Sequence, residues 1–208
     1  MKWVVATHNR DKLQEILPLF DGFAVQLLGL ETFPEIGPIE ETGTTLEENA
    51  LIKARLVHSV TGLPTIADDT GLEVAALGGD PGVRSARFSG LNATYADNVA
   101  LLLERLGDCP PEERAARFRT VAAFVDGSVE IVTDGVAPGS ITGSPHGDRG
   151  FGYDSIFRPE GHKDTFGQMS RADKQLISHR ARAFGALVER LTTTLSSFHK
   201  KEASTQTH

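Results

Sequence analysis

An apolar, strand-like run at Thr65, Ile66 and Ala67 ends on two adjacent carboxylates, Asp68 and Asp69. Thr70, Gly71 and a second strand-like segment through Val74 follow. The pattern reads as a strand end, an acidic turn and a new strand. In open α/β sheets ligands gather beyond the carboxyl ends of strands. Two acids there offer the oxygen ligands that a hard divalent cation takes. A solvated Asp-Asp turn capped by Thr70 is the alternative.

Around this point strand-like and helix-like segments alternate, the pattern of an α/β fold. Lys2 to Ala6 reads as a strand, and Leu13, Ile16, Leu17 and Phe20 then recur at the spacing of one helix face. Thr7 to Lys12 is therefore a strand-to-helix turn. Such turns aim backbone N–H groups and a positive helix end at an anion, with Lys12 adding a charge. Ala24 to Leu28 reads as another strand. Thr45-Leu46-Glu47-Glu48 is a capping box opening a helix that ends near Thr61 at Gly62, with Asn49 and Lys53 on one face. Glu40 and Glu41 precede it.

A glycine-rich loop with Arg84 and Arg87 occupies 77–90. The next helix carries an apolar stripe of Tyr95, Val99, Leu102, Leu103 and Leu106, read as packing. Arg117 to Val125 and Ser128 to Thr133 read as a hairpin turning at Asp126-Gly127. Phe151-Gly152-Tyr153-Asp154 sets two rings about a glycine, either a platform for a flat base or core aromatics. A helix starting at Ser170 carries Lys174, Ser178, His179 and Arg180. The His-Arg pair can donate to a carbonyl.

With 208 residues, 39% of them hydrophobic, the chain suffices for one sizeable core. A net charge of -7 argues against nucleic-acid or anionic membrane partners, which need a cationic field. The single Cys109 excludes an internal disulfide and a thiolate metal cage. Met1 to Ala6 is too short for a signal peptide, and no apolar run approaches the ~20 residues that span a bilayer. A soluble, cytoplasmic protein is expected.

Six motifs follow one another in a particular order: Thr7 to Lys12; Glu40-Glu41-Thr42-Gly43 with Glu48-Asn49-Ala50 and Lys53-Ala54; Ala67 to Leu72; Gly78 to Gly82; Phe151 to Asp154; Ile177 to Arg180. With these the chain resembles, from Trp3 to about Leu191, the inosine/xanthosine triphosphate pyrophosphatases. That family hydrolyses deaminated purine nucleoside triphosphates to the monophosphate and pyrophosphate. The resemblance implies an elongated mixed sheet flanked by helices, in two lobes with an active-site cleft between them, and a homodimer. The expected unit is one nucleoside-triphosphate pyrophosphatase domain over 1–195, followed by a polar tail over 196–208.

By the same resemblance Thr7, His8, Asn9, Arg10, Asp11 and Lys12 form a substrate loop, with Lys12 on the triphosphate and Lys53 as a further cation. Asp69 is the catalytic acid and a Mg2+ ligand, Glu40 the second ligand, and Asp68 lies close by. Thr70 contacts substrate. Phe151, Gly152, Tyr153 and Asp154 shape the base and sugar pocket, which Lys174, His179 and Arg180 complete. His8 and Gln175 depart from the family's usual residues, and an acid usual after Thr165 is lacking. Two other readings share these residues: a regulatory module that binds nucleotide without cleaving it, and a pyrophosphatase for other modified nucleotides.

Overall fold

A computed structural model describes the backbone of residues 1–205 and the side chains of 1–193. The expected polar tail lies outside the residues whose side chains are described. A single mixed sheet carries the molecule. β1 (Lys2–Val5) pairs in parallel with β2 (Gln26–Gly29) and with β3 (Thr65–Val74). The two-residue β4 (Pro81–Gly82) pairs antiparallel with the far half of β3. From β3 the sheet continues antiparallel through β5 (Ala115–Val125), β6 (Glu130–Ile141) and β7 (Phe157–Pro159). The order is β2-β1-β3-β5-β6-β7.

Local chemistry fixes the helix starts. Asn9 caps α1 (Arg10–Ile16) by accepting from the Asp11 and Lys12 amides. The Thr45/Glu48 capping box opens α2 (Leu46–Thr61), and Gly62 closes it in the left-handed region at φ 67°. A second box, Thr94/Asp97, opens α3 (Tyr95–Leu106). Ser170 caps α4 (Arg171–Ile177). α5 (His179–Thr205) follows after a break at Ser178, whose ψ of 152° leaves the helical region. The expected single helix from Ser170 is thus two, and the break places His179 and Arg180 in the first turn of α5. Among the described residues no helix is long and apolar enough to cross a membrane.

Alternation along the strands sorts the core. Ala122 and Phe124 join Trp3, Ile66, Phe184 and Leu187 on the face covered by α1 and α5. Val121, Ala123 and Val125 join Ala50, Ala54 and Val57 of α2 on the other. At the far end Leu72, Phe118, Ile156, Phe157 and Phe166 form a third cluster under α3. Each of these large side chains contributes about 1.5–3 kcal/mol on burial. The far cluster is the second lobe, and the cleft lies between it and the α1/α5 layer.

Two readings from the sequence are corrected. β3 does not stop at Asp68-Asp69 but runs unbroken through them, paired with β5 from Thr65↔Val125 to Val74↔Ala116. The tip of the hairpin falls one residue later, at Gly127-Ser128, because the Asp126 N–H donates to the Val129 carbonyl and the Asp126 side chain accepts from the Ser128 and Val129 amides.

α5 lies unusually close on β6. A Cβ on Gly135 would meet the Ala183 nitrogen and the His179 oxygen at 2.3 Å each. Both are backbone atoms, so the helix itself must lift. Gly135→Ala is expected to cost about 1–3 kcal/mol, a fall in Tm of roughly 2–10 °C for a domain of this size. An unchanged melting temperature would show that α5 can move away without loss.

Candidate active site

The N-terminal end of α1 opens into the cleft. Asn9 Oδ1 accepts from Asp11 N at 2.9 Å and Lys12 N at 3.2 Å, and Thr7 Oγ1 accepts from Asn9 N at 3.1 Å. Asn9 and Lys12 line the cleft. His8 turns away to the Gly37 carbonyl, Arg10 is exposed, and Asp11 faces a neighbouring cavity beside Arg171. Of the six loop residues, two therefore face the cleft.

Because β3 is continuous, its two adjacent acids point to opposite faces of the sheet. Asp69 faces α2, where Asn49 Nδ2 donates to it at 3.1 Å and Lys53 Nζ lies 3.3 Å away. Asp68 faces α5, and its Oδ2 takes Lys12 Nζ at 3.1 Å, Arg180 Nη2 at 3.2 Å and the Thr70 hydroxyl at 3.1 Å. They are not a joint ligand pair. Burial raises a carboxyl's pKa, and on Asp68 this is overcome by Lys12, Arg180 and Lys53, which hold it well below the usual range. On Asp69 burial wins over Lys53 and Lys12, and its pKa rises.

The carboxylate that shares Asp69's surroundings is Glu41, not the expected Glu40. Lys53 Nζ lies 2.5 Å from Glu41 and 3.3 Å from Asp69, between the two acids. Arg87, from the glycine-rich loop, donates to the other Glu41 oxygen at 3.2 Å. Burial pushes Glu41 up, yet Lys53 holds it below its ordinary value. Glu40 is exposed and does not line the cleft. Nothing in the sequence separates two neighbouring loop glutamates; only the fold turns one inward.

The other end of the cleft is aromatic and cationic. His179 is 2% exposed and stacks on Phe118 with centroids 4.5 Å apart at 16°. Burial, with Arg180 and Lys174 nearby, drives its pKa well below the ordinary value, so the ring is neutral. Its Nδ1 has no hydrogen-bond partner among the described residues. Arg180 is anchored by Asp68, by the Thr70 hydroxyl at 3.0 Å and by Glu15. Lys174 Nζ lies 2.5 Å from Asp154 and 2.7 Å from Glu15. Glu15 thus ties together the two cations expected to meet a base. The sequence reading missed it, although it follows Lys12 by three positions on α1, one turn along the same face. Phe151 carries Lys174 and Arg180 over its ring at 5.0 and 5.6 Å. Tyr153 is buried and donates to the Ser85 carbonyl at 2.9 Å, so it braces the loop at the cleft wall that it shares with Phe151.

One cleft therefore holds Lys12, Asp69, Thr70, Phe151, Gly152, Tyr153, Asp154, Lys174, His179 and Arg180 together with Glu41, while Lys53 bridges the two acids without lining the cleft. A larger, open groove of ≈ 690 Å³ along Glu73, Arg117, Pro138 and Arg158 contains none of the expected residues.

The model of the Ham1 family matches residues 3–190. The chain belongs to the Ham1 family. Relatives within it include a dITP/XTP pyrophosphatase of Mycobacterium bovis, 49% identical over 91% of this chain and 95% of its own. Another, from Geobacter sulfurreducens, is 46% identical over 90% and 95%. Solved structures agree. The Ham1 protein of Staphylococcus aureus superposes with TM-score 0.83 at 34% identity, covering 93% of this chain and 100% of that one. A dITP/XTP pyrophosphatase of Mycobacterium abscessus gives 0.73 at 44%, covering 92% and 100%. Ham1 membership and the shared mixed α/β architecture accord with the resemblance read from the six motifs.

Proposed function

We propose that this Ham1 protein hydrolyses deaminated purine nucleoside triphosphates such as ITP, dITP and XTP to the monophosphate and pyrophosphate. The names of its relatives support the reading. The observation that carries it is the division of one cleft into an acid-and-lysine end and a flat, donor-bearing end. The working unit is a single domain over 1–195, acting in the cytoplasm as a homodimer without nucleic-acid or membrane partners.

The acid end fits a divalent cation. Lys53, a cation, already sits between the Glu41 and Asp69 carboxylates, and both are hard oxygen donors. No cluster of three acid, histidine or cysteine ligands exists among the described residues. Two carboxylates are what Mg2+ takes from a protein, completing its shell with water and phosphate oxygens. Glu41 and Asp69 would hold it, and when bound it would offset phosphate charge.

Lys12, in the first turn of α1, receives the phosphate chain, and Lys53 adds a point charge. In hydrolysis the water oxygen bonds to the α-phosphorus as the bridging oxygen leaves with pyrophosphate, and Asp69 takes the water's proton. At the other end the neutral His179 ring offers an N–H to a 6-oxo group. A 6-amino group would leave that donor buried and unpaired, and sites of this kind reject the wrong partner by about 10⁴.

Pyrophosphate release is to be measured across ITP, dITP, XTP, ATP, CTP and UTP, with and without EDTA. Turnover of ITP and XTP far above ATP, abolished by EDTA and restored by Mg2+, is the expected result. Nucleotide binding without pyrophosphate release would instead establish a sensing module.

A further inference from the structure

The apolar stripe of α3 ends in a residue that does not behave as packing. Val99, Leu102 and Leu106 are buried in the far lobe, whereas Tyr95, on the same face at the first helical position, is 43% exposed. Its backbone is held there by the Thr94/Asp97 capping box. Its phenol oxygen accepts a hydrogen bond from Asn9 Nδ2 at 3.0 Å, across the cleft from a residue 86 positions earlier. Its ring stands 5.8 Å from that of Phe151, tilted 42°.

Two consequences follow from these contacts. Asn9 has one amide, and both ends are now assigned: Oδ1 caps α1 at Asp11 and Lys12, while Nδ2 binds Tyr95. The tyrosine hydroxyl therefore fixes which way the amide faces, and so supports the cap beside Lys12. Secondly, Tyr95 and Phe151 together line the cleft on one side and a second groove, beside Val99, Leu103 and Pro145, on the other. The pair is a wall with open space on both sides. Among the described residues the cations placed over a ring of this pair, Lys174 and Arg180, both stand over Phe151. The Tyr95 ring is thus the uncharged half of the wall, suited to the face of a nucleoside rather than to its phosphates.

We propose that Tyr95 is a substrate-contacting residue of this cleft: its ring continues the Phe151 wall against which the nucleoside lies, and its hydroxyl sets Asn9 for the phosphate end. The inference rests on the nucleotide reading given above. It adds a residue from the far lobe, so that binding draws the two lobes into one site.

Steady-state kinetics on ITP test it. Aromatic contact with a base supports a KM increase of about tenfold for Tyr95→Ala. A single lost hydrogen bond supports about threefold for Tyr95→Phe, which keeps the ring. In both, kcat should stay near the wild-type value, because a contact made equally before and during reaction changes KM alone. Partial recovery in Tyr95→Phe separates a ring contact from general damage, and Tm values of the variants check folding. A wild-type KM in Tyr95→Ala overturns the proposal. Calorimetric titration of inosine monophosphate into the same proteins gives a readout independent of hydrolysis. Weaker binding by Tyr95→Ala supports the contact even if no triphosphate is cleaved, whereas failure of the wild type to release pyrophosphate counts against the proposed activity alone.

Discussion

Asp69→Asn is expected to reduce kcat for ITP by about 10³-fold, the loss that follows removal of a well-placed general base. The substitution keeps the size of the side chain. It also keeps an oxygen to accept from Asn49 Nδ2, and Lys53 retains Glu41 as its partner at 2.5 Å. The melting temperature should therefore stay within a few degrees of wild type. A fall in activity with an equal fall in stability would mean that Asp69 only holds α2 to the sheet. Turnover near the wild-type rate would remove Asp69 from the chemistry. Its neighbour cannot take over the role, because Asp68 opens onto the opposite face of β3 and is already engaged by Lys12, Arg180 and Thr70.

Asp68→Asn should do the reverse, with a large effect on stability. Arg180 is 1% exposed and Lys12 is pulled below its ordinary pKa by burial, against the opposing pull of Asp68. Removing the carboxylate leaves these cations undercompensated, at a cost of about 3–5 kcal/mol. For a chain of this size that is a Tm lower by roughly 10 °C. The pH dependence has a definite sign. Asp68's folded pKa lies below its unfolded one, so its contribution is complete above the ordinary carboxylate value of about 4 and is lost as pH falls further. The gap in Tm between wild type and variant should be constant from pH 7 to about 5 and narrow only below about pH 4. A gap that closes nearer neutrality would assign the effect to another group.

What the sequence made legible was what neighbouring residues decide among themselves. The Thr45/Glu48 box and the Gly62 stop need only a few consecutive positions, and each stands where it was expected. The continuity of β3 was hidden because the groups that let two acids lie inside a strand come from far away. Lys12, Asn49, Lys53 and Arg180 lie on α1, α2 and α5. The inward turn of Glu41 rather than Glu40 depends likewise on Lys53 and Arg87. The break at Ser178 was masked by an apolar face that continues across it from Ile177 to Phe184. Tyr95 fits its helical stripe in the sequence, and only the position of the α3 start shows that the stripe overhangs the cleft.

The opposed directions of Asp68 and Asp69 bear on how such a protein can diversify. On the proposed function, changes beneath α5 would retune which ring is admitted while the groups on the α2 side keep their surroundings, so selectivity and rate would be open to separate adjustment. Length is a different matter. Deleting one residue ahead of this pair would carry Asp69 into the place of Asp68 and Thr70 into the place of Asp69, giving Arg180 a different acid and leaving the α2 side without one.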